Sequence, residues 1–95
     1  MDTRGLEEIL KGVVDDMYTG DKGEVVLVFR MGRVVNMYLH GGNLSISLRK
    51  PDRILVIAGG RVITHDGGKK EDRTSAVVDG VFIDHDKLYI TLKTP

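Results

Sequence analysis

A chain of 95 residues is long enough for one domain and too short for two. Its 14 Lys and Arg balance 14 Asp and Glu, a formal charge of zero, which argues against a dedicated polyanion binder and against a disordered acidic tail. With no Cys, neither a disulfide nor a thiolate–zinc centre is available, so the core stands alone or is extended by association.

The chain opens Met1-Asp2-Thr3-Arg4-Gly5, with an acid and no apolar run behind it. Its longest apolar runs, Val25–Phe29 and Ile54–Ala58, have five residues each, far below the ~20 that span a bilayer. The expectation is a cytoplasmic protein without membrane contact or cofactor.

Leu6, Ile9, Leu10, Val13, Val14 and Met17 recur at helical spacing and predict an amphipathic helix over 4–18. Thr3 or Asp2 would cap it, and Thr19-Gly20 with Asp21-Lys22-Gly23 would end it in a turn. The opposite face carries Glu7, Glu8, Lys11, Asp15 and Asp16, an acidic solvated face or one that docks a basic partner.

From residue 24 the period falls to two. Strands are expected near 24–30, 33–39, 43–49, 53–58, 61–65, 74–84 and 87–93. Leu44, Ile46 and Leu48 alternate with Ser45 and Ser47, and Leu88, Ile90 and Leu92 alternate with Tyr89 and Thr91, which gives each strand a wet face. Val25–Phe29 and Ile54–Ala58 lack that alternation. A strand apolar on both faces lies at a sheet centre, under a helix or in an interface, so Val26, Val28, Ile54 and Val56 are candidate interface residues. Met31-Gly32, Gly41-Gly42, Gly59-Gly60, Lys50-Pro51-Asp52 and His85-Asp86 supply short turns, and 65–73 is the one long loop. The fold class is therefore mostly β (α+β). A single domain, 1–95, would hold the helix and an antiparallel meander of about six or seven short strands, curved strongly or rolled into a small barrel.

Catalytic and metal-binding motifs are sparse. Gly68-Lys69 resembles half of a phosphate-binding loop, but Ile63 stands where the first glycine belongs and Lys70 where Ser or Thr would hold magnesium. Asp84-His85-Asp86 and His65-Asp66 are metal-ligand types, yet a strand sends Asp84 and Asp86 one way and His85 the other. No nucleophile elbow surrounds Ser45, Ser47 or Ser75. Asn43-Leu44-Ser45 matches a glycosylation sequon by chance.

Charge is segregated. Residues 1–24 hold three cations against seven acids, 25–70 eight against two, and 71–95 three against five. In a meander, alternate turns share one end, which would gather Arg30, Arg33, Arg49, Lys50, Arg53, Lys69 and Lys70 into a basic rim for a protein or a phosphate. Tyr38 and Tyr89 fall on the polar parity of their strands, where they could stack bases.

The helix followed by hairpin-linked strands, with Gly32-Arg33 at the first turn, Asn43-Leu44 opening the third strand and Val81-Phe82-Ile83 near the end, resembles the Sm-like small barrels that bind RNA as rings. Asp84-His85 stands where that family carries an Arg-Gly pair, so the resemblance implies an architecture and transfers no RNA-pocket residue. The functional expectation is a non-catalytic assembly or adaptor domain that associates with itself or with a protein partner; the alternative is nucleic-acid binding through residues 25–70.

Overall fold

The apolar stripe of the N-terminal segment is used twice, first by a helix and then by a strand. The structure, a computed structural model, describes residues 3–66, 68–72 and 74–95. Helix α1 spans only Arg4–Leu10, not 4–18. Gly12 and the β-branched Val13-Val14 are poor helix formers, and the ladder bonds available to the next residues outweigh further helix. Asp16–Thr19 forms strand β1, which pairs antiparallel with β2 (Val25–Arg30). Leu6, Leu10 and Val13 are all buried, as their spacing implies. Thr3 occupies the N-cap position without a side-chain capping bond, while Glu7 N–H donates to the Thr3 carbonyl at 2.8 Å. The proposed Asp2 cap lies outside the described residues.

A 3-10 turn, Met31–Arg33, leads from β2 to β3 (Val34–His40). Then follow β4 (Asn43–Leu48), β5 (Arg53–Ala58), β6 (Arg61–His65), β7 (Lys69–Asp72), β8 (Val77–Asp84) and β9 (Lys87–Lys93). The described residues thus form nine strands where about seven were expected. One extra strand is taken from the predicted helix. The other, β7, is taken from the predicted 65–73 loop and folds back on β6, with His65 opposite Lys69. Of that loop, Gly67 and Arg73 lie outside the described residues.

The strands form two antiparallel sheets. The five-stranded sheet, β3-β4-β5-β6-β7, is the expected meander. The four-stranded sheet runs β1-β2-β9-β8, because β2 pairs with the distant β9 and not with β3. Among the described residues no ladder joins β3 to β8 or β1 to β7, so the two sheets face each other across one core and no closed barrel is found. Sheet A below is the four-stranded one and sheet B the five-stranded one.

Val25, Leu27, Phe29, Leu88, Ile90 and Leu92 face inward from sheet A and meet Leu44, Ile46, Leu55, Ile57 and Val62 of sheet B. Helix α1 packs against β6 and β7 and covers that side of the core with Leu6 and Leu10. On the opposite side, backbone hydrogen bonds tie the sheets near the strand ends. Met31 N–H donates to Asp86 O at 2.7 Å and Val78 N–H to Gly42 O at 3.0 Å, while the Cα atoms of β3 and β8 stay more than 8 Å apart along nearly their whole length. The glycine turns serve this docking. A Cβ on Gly42 would lie 3.1 Å from the Val77 Cβ, and Gly60 O accepts from Ala76 N–H at 2.9 Å. Among the described residues no helix is long and apolar enough to cross a membrane.

Candidate functional site

Two kinds of surface were expected, a basic rim and apolar strand faces. The first and third turns do meet at one end. Arg49 N–H donates to Arg33 O at 2.9 Å, and Arg49 Nε donates to Gly32 O at 2.7 Å. Arg30, Gly32, Arg33, Lys50 and Asp86 line an open depression of about 420 Å³ there.

Arg33, however, is an internal residue with 6% exposure. Its Nη1 donates to Val13 O at 2.9 Å and to Asp15 Oδ2 at 3.2 Å. Its Nε donates to Arg49 O at 3.0 Å, and its Nη2 donates to Pro51 O at 3.4 Å. The guanidinium fork suits this task, since it presents several donors in one plane. Asp15 is the counterion. It also accepts from the Arg30 backbone N–H at 2.8 Å and from Arg30 Nε at 3.2 Å. Partial burial alone would push the Asp15 carboxyl up. The hydrogen bonds from Arg30 and Arg33, together with their two charges, prevail and hold it below the ordinary value of 3.8. Arg33 and Asp15 therefore clasp the α1–β1 junction to both turns.

The remaining rim residues are more exposed. Arg30 and Lys50 face solvent, and Arg53 Nη1 donates to Asp52 O at 2.7 Å beside its own strand start. In backbone register His65 pairs with both Ile54 and Lys69, so Lys69 shares that end of sheet B; its side chain lies outside the described residues. Lys70 reaches Asp66 at 3.9 Å. Asp15 and Asp86 thus sit within the basic cluster and offset part of its charge.

The four candidate interface residues divide by sheet. Val26 and Val28 are only 5% exposed. They lie on the outer parity of sheet A, where Tyr18 and Thr91 flank Val26 and Asp16 and Tyr89 flank Val28 across the ladder. That cover makes them unavailable as a primary contact. Ile54 is 41% exposed and Val56 half-buried, both on the outer face of sheet B. Across that face the register aligns Asn36, Ser47, Ile54, His65 and Lys69 in one row and Tyr38, Ser45, Val56, Ile63 and Glu71 in the next. The charged members of these rows, Lys69 and Glu71, both belong to the edge strand β7. Val35, Ser47, Ile54 and His65, together with the charged Asp52, Arg53 and Asp66, border an open depression of about 460 Å³ at one end of this face.

A second apolar zone follows the open side of the core. Leu39 on β3 and Ile83 on β8 have inward parity yet remain exposed, because no strand covers that side. Phe82 stacks on Tyr89 on the outside of sheet A, with centroids 4.6 Å apart. Tyr38 and Tyr89 therefore sit on different sheets and do not form one stacking platform. Asp84 Oδ1 lies 2.7 Å from His85 Nδ1 in the β8–β9 turn. Among the described residues no group of three or more His, Cys, Asp or Glu converges on a metal-sized site.

Sequence reasoning missed the roles of Asp15 and Tyr38. Asp15 read as a solvated helix residue because the helix was taken too far. Tyr38 stood on polar parity, and only the register places it in one row with Val56 and Ile63, two strands and more away. No family model, curated protein or solved structure matches this chain.

Proposed function

We propose that this chain is a non-catalytic assembly module that associates with copies of itself. The observation that carries the reading is the outer face of sheet B. A solvated sheet face normally alternates polar residues with the inward apolar ones, whereas β5 and β6 present Ile54, Val56 and Ile63 outward. Ile54 is exposed and Val56 and Ile63 are half-buried, and apolar residues left uncovered on a sheet face favour an interaction site. Zero net charge removes the long-range repulsion that would keep copies apart.

A second reading, nucleic-acid binding through the basic segment, is favoured by the Arg30–Lys50 depression. It has less support, because Arg33 is spent on three backbone carbonyls and Asp15, and Asp86 stands in the same depression. Light scattering on a concentration series, beside titration of a labelled single-stranded oligonucleotide at low salt, separates the two. The assembly reading expects a mass above 10.5 kDa that Arg30→Ala with Lys50→Ala, in the basic depression, leaves unchanged. A strict monomer that binds the oligonucleotide, and loses it in the double variant, would replace this reading with the other.

A further inference from the structure

We infer that two copies of this chain pair edge to edge through β3, joining their five-stranded sheets into one continuous sheet; this rests on the assembly reading above and locates the contact where the outer face of sheet B meets its open edge. A strand at a sheet edge leaves a row of backbone N–H and C=O groups, and another strand is what matches that row. The two sheets have four such edges, β1 and β8 on sheet A and β3 and β7 on sheet B. Three of them are guarded. β1 has four residues and opens on Asp16, and β7, Lys69–Asp72, is charged throughout. β8 carries Asp79 and Asp84 and is irregular between Val78 and Gly80. β3 has seven residues, holds no Asp, Glu, Lys or Arg, and exposes Val35, Tyr38 and Leu39. Its own irregularity, between Val34 and Asn36, lies near its start and leaves 36–40 regular. β8 does not take the place of a sixth strand, since its Cα atoms stay more than 8 Å from β3 along nearly the whole length, against about 4.8 Å for paired strands.

Register makes this edge self-complementary. The two-residue turn Gly41-Gly42 makes His40 and Asn43 a hydrogen-bonded pair, and the ladder alternates from there. Asn36, Tyr38 and His40 therefore bond to β4, while Met37 and Leu39 turn N–H and C=O toward the free edge. Arg49 N–H, which donates to Arg33 O, continues the same alternation on β4. No hydrogen bond from another described element reaches the Met37 or Leu39 backbone. An antiparallel two-fold about Tyr38 sets Met37 opposite Leu39 of the second copy, and each such pair exchanges both of its backbone hydrogen bonds. Leu39, exposed because no strand covers that side, then gains an apolar neighbour. Tyr38 meets its own equivalent in the closer, non-hydrogen-bonded kind of pair, where aromatic contact is favourable. Asn36 meets His40, and no acid, lysine or arginine enters the contact between the strands. Growth stops at two copies, because the far edge of sheet B is the charged β7 with α1 packed against it.

Sedimentation velocity on the full chain from about 5 to 300 μM tests the pairing, with thermal melts to confirm that each variant folds. Tyr38 is 65% exposed, so replacing it does not threaten the core. Tyr38→Lys and Tyr38→Glu each set two like charges against one another across the two-fold, and each alone should weaken dimerisation about tenfold or more. An equimolar mixture of the two should recover it, because unlike charges then meet. Phe82→Lys, on the edge strand β8, should leave dimerisation within about twofold of the unmodified chain. Dimerisation that survives in both Tyr38 variants, or that is lost in both and not recovered on mixing, overturns the two-fold β3 pairing while self-association stands. Loss in Phe82→Lys alone overturns it too and moves the contact to β8. A monomer of the unmodified chain at every concentration overturns the assembly reading itself.

Discussion

Replacing Arg33 with Met tests whether this residue belongs to a binding rim or to the fold. Met keeps the length and apolar stem of the side chain and removes every donor. Val13 O and Arg49 O then lose donors at 2.9 and 3.0 Å, and Asp15 loses its 3.2 Å partner. An acceptor left without its partner costs about 1 kcal/mol where water can reach it and up to ~3 where it cannot. Three such losses amount to about 3 kcal/mol, a large share of the 5–15 kcal/mol that typically holds a domain together. At about 4–8 °C per kcal/mol, the melting temperature of a domain this small should fall by roughly 12–24 °C. Thermal denaturation followed by far-UV circular dichroism measures it. Arg30→Met is the control: that side chain is 63% exposed, so its ion pair with Asp15 contributes about 1 kcal/mol or less. If Arg33→Met melts within about 3 °C of the unmodified protein, the clasp carries little of the stability and the reasoning fails.

Asp15 adds a pH dependence to the same clasp. Its folded carboxyl lies below the ordinary 3.8, so the unfolded chain binds that proton more readily. The stabilisation is present above about pH 4 and is lost as pH falls through the folded value. Urea denaturation should show the gap between the unmodified chain and Asp15→Asn at its widest near pH 7 and narrowing below pH 4; a gap constant with pH would refute this. Leu10→Ala removes a fully buried side chain from the helix that covers the β6–β7 side, and should cost about 2–5 kcal/mol. A loss below about 1 kcal/mol would mean that α1 contributes little to the core.

Strand content was legible because the alternation at Leu44–Leu48 and Leu88–Leu92 reports burial on one face directly. The end of α1 was not, because Met17 satisfies a helical period and a strand period alike, and only the pairing of Met17 with Leu27 decides between them. β7 was hidden for a different reason: Lys69–Asp72 is wholly charged, and its strand state comes from the edge of β6, not from any apolar pattern of its own. The two doubly apolar runs illustrate the limit of the site reading. Both looked alike in sequence, yet β2 lies between β1 and β9 with Tyr18 and Tyr89 beside it, whereas β5 has the short Ser45 and Ser47 of β4 along one side. Neighbours in the sheet, which a single strand does not encode, decide whether an apolar face is covered.

The central claim, that copies of this chain associate through the apolar residues on the outer face of sheet B, is tested most directly by sedimentation equilibrium of the unmodified protein at about 200 μM in low and in high salt. The expected mass exceeds 10.5 kDa, approaches twice that value with concentration, and is the same or greater at high salt, since screening weakens charge contacts and not apolar burial. A mass of 10.5 kDa at both salt concentrations, or a dimer that dissociates as salt rises, would contradict it.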